Sequence, residues 1–214
     1  MKKISKVIWN VLLPRSPVFS TSEVAKLAGV EVSNAARDLA RLERDGLVRR
    51  ITRGFWAVPT HPDFSPYVVV PHLVGEPPGG YVSLLSALNL HGMIEQIPRV
   101  VHIVTTRQRS VLMTPVGTYE FYRIQEELFG GFKPYRRTGN FDIATPEKAL
   151  FDTLYFSARK GRRFASLPEV ELPDGFSVRE FESWAAKINH PPLRTAIRLR
   201  WEKLVERLGV GQRG

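Results

Sequence analysis

Ser33, Asn34, Arg37 and Arg41 fall at spacings that bring all four to one side of a helix read from about Val32 to Asp45. Side chains of these types suit base recognition. An amide pairs bidentately with adenine and a guanidinium with guanine, each good pair giving roughly 1–3 kcal/mol of discrimination. Arg44, Arg49, Arg50 and Arg53 follow directly and are candidates for neutralising phosphates, the salt-sensitive part of nucleic-acid affinity. The alternative is a solvated helix face, which is what most charge runs are. The short Ser33 and Asn34 at the helix start and the basic residues just beyond its end argue for contact with DNA. A second cluster, Arg159-Lys160-Gly161-Arg162-Arg163, is a candidate second phosphate contact with a solvated loop as its alternative. Arg136-Arg137 and Arg107-x-Arg109 are smaller candidates for the same work.

Catalytic chemistry finds less support. Asp142, Glu147 and Lys148 invite comparison with carboxylate–lysine sites that hold magnesium. Glu147 and Lys148 are adjacent, however, and neighbours on a helix point about 100° apart. A carboxylate in the favourable field of a helix N-terminus and a Lys148–Asp152 pair of modest value account for them. His61, His72, His91, His102 and His190 show neither an i,i+4 pair nor an HExxH pattern. His102 stands inside an apolar run and reads as a satisfied core histidine. Ser83 and Ser86 lack a GxSxG context, and Gly79-Gly80 reads as a turn after two prolines. The sequence therefore predicts no catalytic residue, no metal site and no cofactor.

These candidates belong to a chain of 214 residues with 31 Lys+Arg, 21 Asp+Glu and no cysteine, a formal charge of +10. Without cysteine, a disulfide framework, a thiolate zinc finger, an iron–sulfur site and a thiol nucleophile are excluded. No apolar run reaches the roughly 18 residues of a membrane-spanning helix, so a cytoplasmic location without membrane contact is expected. The charge is uneven. Residues 1–58 hold 11 basic and 5 acidic side chains, against 20 and 16 in residues 59–214. Three prolines between Pro59 and Pro66 mark a break, predicting one unit at 1–60 and another at 61–214.

In the first unit, Ile4, Val7, Ile8, Val11 and Leu12 have the spacing of one helix face, stopped by Pro14 and Pro17. Ser20-Thr21-Ser22-Glu23 has the form of a capping box, with Phe19 and Val24 at the staple positions. The helix it opens is expected to bury Val24, Leu27 and Ala28 and to end at Gly29. The third helix turns Ala35, Leu39 and Leu42 inward and is capped by Gly46. Leu47–Ile51 and Phe55–Val58 read as strands joined by Thr52-Arg53-Gly54.

In the second unit, Tyr67–Pro71 and Val100–Thr105 read as buried strands, with a helix over Tyr81–Leu88 between them. Strands are expected at Thr118–Ile124 and Phe141–Ala144, followed by a helix with Thr145 as N-cap and Pro146 at its first position. A helical tail begins near residue 175. Phe176, Ser177, Glu180 and Phe181 repeat the staple and capping box, leading into a stripe of Phe181, Trp184, Ala185 and Ile188. Leu193, Ile197, Trp201, Leu204 and Leu208 share one face of a last helix. The fold class is α+β.

The order helix, helix, basic helix, hairpin resembles a winged helix-turn-helix. Leu39-x-x-Leu42-Glu43-x-x-Gly46-Leu47-Val48, followed by basic residues and an aromatic strand, is similar to many bacterial and archaeal transcription regulators, whose third helix enters the major groove. Gly80–Leu88, then His91-Gly92, Ile97-Pro98 and Thr105-x-Arg107, resembles the AbiEi-type antitoxin family. Ile143–Leu150, Asp152 and Leu154-Tyr155 are similar to that family's other signature stretch, and the resemblance spans about residues 1–160. It implies an autorepressor that binds operator repeats in double-stranded DNA. It also implies the antitoxin of a phage-defence system, countering a nucleotidyltransferase-like toxin through its second unit, usually without stable contact. Two alternatives stay open. One is a stand-alone winged-helix transcription factor whose second unit senses a ligand or oligomerises; the other is a DNA-targeted nuclease.

Overall fold

The computed structural model of the protein describes residues 2–75, 79–137, 139–159 and 167–208. The chain is mixed α+β, with helices first, then two sheets, then a helical end. It divides into two compact units, the first comprising Met1–Glu76, Val111–Tyr119 and Tyr135–Phe141, the second the remainder. The break expected at residue 60 falls inside the first of these.

The first unit opens with α1 (Lys2–Val7), which continues as a π-helical stretch over Ile8–Leu12. There the Leu13 N–H reaches back to the Ile8 carbonyl at 2.9 Å. Next come β1 (Val18–Ser20), α2 (Thr21–Ala28), α3 (Val32–Arg44), β2 (Arg49–Thr52) and β3 (Phe55–Ala57). The strands form an antiparallel sheet in the order β1-β3-β2. β1 is not legible in the sequence, because three residues are too few to show an alternation. Its ladder continues into the next element, the Thr21 N–H donating to the Gly54 carbonyl at 2.8 Å.

The capping box at Ser20 forms as expected. The Glu23 N–H donates to the Ser20 hydroxyl at 3.1 Å, and the Ser20 N–H donates to the Glu23 carboxylate at 2.7 Å. Phe19 and Val24, the two staple residues, are both buried. Leu27 is a correction: it is exposed, and Ala25 takes the buried place beside Val24 and Ala28. Ile4, Ile8, Leu12, Phe19, Val24, Leu39 and Trp56 form the centre of one apolar cluster.

The run Tyr67–Pro71, expected as a strand, is helical: a 3-10 turn over Pro66–Val69 passes into α4 (Val70–Val74). A short apolar run has no period that separates a buried strand from a buried helix. Pro66 and Pro71, each in the first turn of its helix, fix the backbone where a missing N–H costs nothing.

In the second unit, β4 (Tyr81–Val82) and α5 (Leu84–Leu90) replace the single helix expected over Tyr81–Leu88. The chain turns at Ser83, and Leu84 takes φ +52°. This is a left-handed backbone that L residues adopt only when their surroundings impose it. β5 (Val101–Thr105), β6 (Leu112–Thr114), β7 (Gly117–Arg123), β8 (Phe132–Tyr135) and β9 (Phe141–Ala144) complete a six-stranded sheet in the order β6-β7-β5-β4-β9-β8, with β6 and the first residues of β7 in a stretch that belongs to the first unit. β4 is antiparallel to β5 and parallel to β9. α6 (Pro146–Ala158) is capped by Thr145, which accepts the Lys148 N–H at 3.2 Å.

α7 (Val178–Ala186) and α8 (Pro191–Leu208) end the described chain. Phe181 and Trp184, with Ile188 just beyond α7, are buried, as are Ile197, Trp201 and Leu204 on α8; Ala185, Leu193 and Leu208 are half-buried. The capping box expected at Ser177 forms only in part. Ser177 accepts the Glu180 N–H at 3.2 Å, but its own N–H donates to Glu147 at 2.8 Å, while Glu180 accepts from the Thr145 hydroxyl at 3.3 Å.

Candidate nucleic-acid interface

α3 is positioned by a three-residue turn. Gly29 closes α2 with φ +59°, and its N–H meets the Ala25 and Lys26 carbonyls. The Val30 N–H also reaches Ala25, at 3.0 Å, which gives the paired bonds of a glycine-closed helix end. A side chain at Gly29 would be strained in this conformation. Val30 packs against the apolar cluster, so the chain re-enters a helix at Val32 in a fixed direction.

Along α3, Ala35, Leu39 and Leu42 are buried. At about 100° per residue, Ser33, Asn34, Arg37, Arg41 and Arg44 lie within an arc of about 100° on the other side, and all five are exposed. The sequence reading of this face therefore places every named side chain where solvent, or a partner, can reach it. A helix of 13 residues is about 20 Å long, enough to cross a DNA major groove about 12 Å wide.

The hairpin beside it carries Arg49 and Arg50 on β2 and Arg53 in the turn, all exposed. Two residues hold it, Glu43 and Thr21, and neither role is read from the sequence. Glu43 accepts the backbone N–H of Arg50 at 2.9 Å, tying the end of α3 to the start of β2. Thr21 accepts the indole N–H of buried Trp56 at 2.9 Å, and its hydroxyl donates to the Gly54 carbonyl at 3.3 Å. The Arg50 guanidinium lies 5.6 Å from the Trp56 ring centroid. Glu43 and Thr21 both stand inside the quoted motifs, but residue type alone does not distinguish a positioning contact from a solvated polar group.

Also in the first unit, Arg15, Arg136 and Arg137 line a cavity of about 660 Å³ together with His72. Burial lowers the His72 pKa from its usual value, with Glu23 acting against it.

In the second unit the two stretches that carry the resemblance meet at one carboxylate. Buried Asp152 accepts from the Ser83 hydroxyl at 2.7 Å, from the Tyr81 hydroxyl at 3.1 Å, and from the Lys148 ammonium. Lys148 lies within 5.5 Å of the ring centroids of Tyr81, Phe151 and Trp184. Burial pushes the Asp152 pKa up and the Lys148 pKa down, while their contact pulls both back. The Lys148–Asp152 pair, expected to be of modest value, forms and is fully enclosed. Glu147, also buried, holds the Ser177 backbone. Asp142 is half-buried on β9, its pKa raised by burial.

His102 is a core residue, its Nδ1 2.9 Å from the Ser86 hydroxyl, which also accepts the His102 backbone N–H at 3.0 Å. Among the described residues there is no group of three or more His, Asp or Glu side chains placed to hold a metal ion. Arg159 is exposed at the end of α6, and Lys160, Arg162 and Arg163 lie outside the described residues.

The first unit thus joins a buried core of two helices across a tight turn to an exposed basic face on α3 and a basic hairpin. Residues 12–59 match the family model described as "Transcriptional regulator, AbiEi antitoxin", a segment that includes α2, α3 and all three strands of the first sheet. Among solved structures, the chain is similar to the crystal structure of the RV2827C protein from Mycobacterium tuberculosis, with TM-score 0.52 and 16% identity. That match covers 74% of this chain and 62% of the other, so the present chain spans under two thirds of its length. It is a likeness of fold. No curated protein matches this chain. Among the described residues no helix is long and apolar enough to cross a membrane.

Proposed function

We propose that this protein is a DNA-binding autorepressor and antitoxin whose residues 1–60 act as a winged helix-turn-helix on operator repeats of its own promoter. The observation that carries the reading is the exposed face of α3, opposite Ala35, Leu39 and Leu42, within a segment that matches a transcriptional-regulator family model. Ser33, Asn34, Arg37 and Arg41 read base edges in the major groove, and Arg44, Arg49, Arg50 and Arg53 hold the phosphate backbone. The second unit forms the antitoxin part, countering a nucleotidyltransferase-like toxin in the cytoplasm, with no catalytic step assigned to this chain.

The deciding experiment measures affinity for the promoter repeats and for random duplex side by side. Alanine at both Asn34 and Arg37 is expected to weaken promoter binding far more than random binding, since each lost bidentate pair removes roughly 1–3 kcal/mol of discrimination. Equal losses on both DNAs overturn the base-reading role. Co-expression with the product of an adjacent toxin-like reading frame tests the antitoxin part, and failure to restore growth overturns it.

A further inference from the structure

Arg109, Arg123 and Arg159 come from three distant parts of the sequence: the loop after β5, the end of β7 and the end of α6. In the second unit they line one cleft of about 510 Å³, a volume in the range of small-molecule sites. We propose that this cleft binds a nucleoside phosphate, a role separate from the DNA contacts of α3.

The cleft has the two chemistries such a ligand needs. Its lining includes three aromatic rings: Phe121 and Tyr122 are buried and Phe156 is half-buried. Phe156 is also braced. Tyr122 meets Phe156 edge-on at 5.2 Å, its hydroxyl donates to Glu120 at 2.7 Å, and His102 lies 5.9 Å from its ring. Phe156, the one of the three with appreciable exposure, is a stacking platform for a base. The rim is cationic. Arg123 and Arg159 are exposed and Arg109 half-buried, against Glu126 as the single carboxylate of the described lining.

Two of the guanidiniums are held in place by ring faces. Arg109 lies 5.6 Å from the Phe121 centroid and Arg159 lies 5.4 Å from that of Tyr155. Arg159 also donates to the Arg123 carbonyl at 3.4 Å. A guanidinium presents a planar fork that suits phosphate oxygens. Gln108 and Gln125, exposed on the same rim, offer both donor and acceptor to a base edge. A volume of about 510 Å³ is that of a single small-molecule site and suits one nucleotide better than a strand.

Calorimetric titration of the full chain tests this with ATP, GTP, CTP and UTP, alongside inorganic tripolyphosphate and a short single-stranded oligonucleotide. At least one mononucleotide is expected to saturate with Kd below about 1 mM. Arg123→Ala, at an exposed position, is expected to weaken it by about tenfold or more, the loss of one charge-assisted hydrogen bond. Arg109→Gln is expected to act in the same direction, and thermal melting of each variant separates lost binding from lost fold.

Three results overturn the proposal. They are no saturation by any nucleotide, tripolyphosphate binding as tightly as the nucleotides, and saturation by the oligonucleotide alone. Promoter binding is read in a separate assay, so failure here leaves the DNA-reading proposal standing, and the reverse holds too.

Discussion

The carboxylate of Glu43, near the end of α3, accepts the backbone N–H of Arg50, at 2.9 Å. α3 and the basic hairpin are therefore not independent: the strand that carries Arg49 and Arg50 starts from a point fixed by the helix. Because Glu43 is an anion beside a basic surface, its removal should raise affinity for any polyanion if charge alone mattered.

Glu43→Ala is expected to separate these effects. Random-duplex affinity should rise or stay level, and promoter affinity should fall, because the hairpin is no longer held in register with α3. The stability cost should be small, about 1 kcal/mol or less, since the bond is partly open to solvent. A gel-shift comparison of the two DNAs checks it, and a rise on both would mean that Glu43 acts only through its charge.

Replacing Arg50 and Arg53 together by alanine should flatten the dependence of log affinity on log salt by up to about two units, at roughly 0.9 per phosphate released. Fluorescence anisotropy across a salt series reads the slope directly. An unchanged slope would remove these two side chains from the phosphate contacts.

His102 gives a pH signature. Burial depresses its pKa from 6.5 to about 4, against a smaller upward pull from Glu120. The unfolded chain therefore binds a proton between pH 6.5 and about 4 that the folded chain refuses. The stability from this group is complete above the unfolded value and is lost as pH falls through that window, up to about 3 kcal/mol. Urea unfolding at neutral pH and near pH 4.5 should show a smaller decline for His102→Gln than for the parent chain.

The enclosed pair in α6 should be intolerant of single changes. Asp152→Ala leaves the Lys148 ammonium without its anion, and Lys148→Met leaves the carboxylate to Ser83 and Tyr81; each should cost about 3–5 kcal/mol. The double change Lys148→Met with Asp152→Leu should cost clearly less than the two singles combined, because no unpaired charge remains. Chemical denaturation of the three variants gives the comparison.

The sequence pattern is most informative where side chains repeat along one element. The inner face of α3, the capping box at Ser20, the N-cap at Thr145 and the stripe of α8 are all local, and each can be read within a few residues. It is least informative where the decisive partner is remote. Ser83 and Asp152 lie 69 positions apart, and no periodicity links them. The same distance hid Thr21 as the acceptor for Trp56, 35 residues on. Val68, Val69 and Val70 illustrate a third limit: three adjacent β-branched residues favour a strand by type, yet flanking prolines and burial on several sides make them helical.

The first unit is assembled from more than one stretch of chain. After the segment that ends at Glu76, the polypeptide leaves it and returns twice, for Val111–Tyr119 and again for Tyr135–Phe141. The ring of Phe55, on β3, meets the ring of His72 at 5.2 Å, and the cavity lined by Arg15 is lined also by Arg136 and Arg137 from the last of these stretches. The first unit is consequently not a cassette. A recombination event or a fusion made at residue 60 would carry away α3 and the hairpin but strand the pieces that pack behind them, so this architecture resists shuffling one half at a time and ties the inheritance of the two halves together.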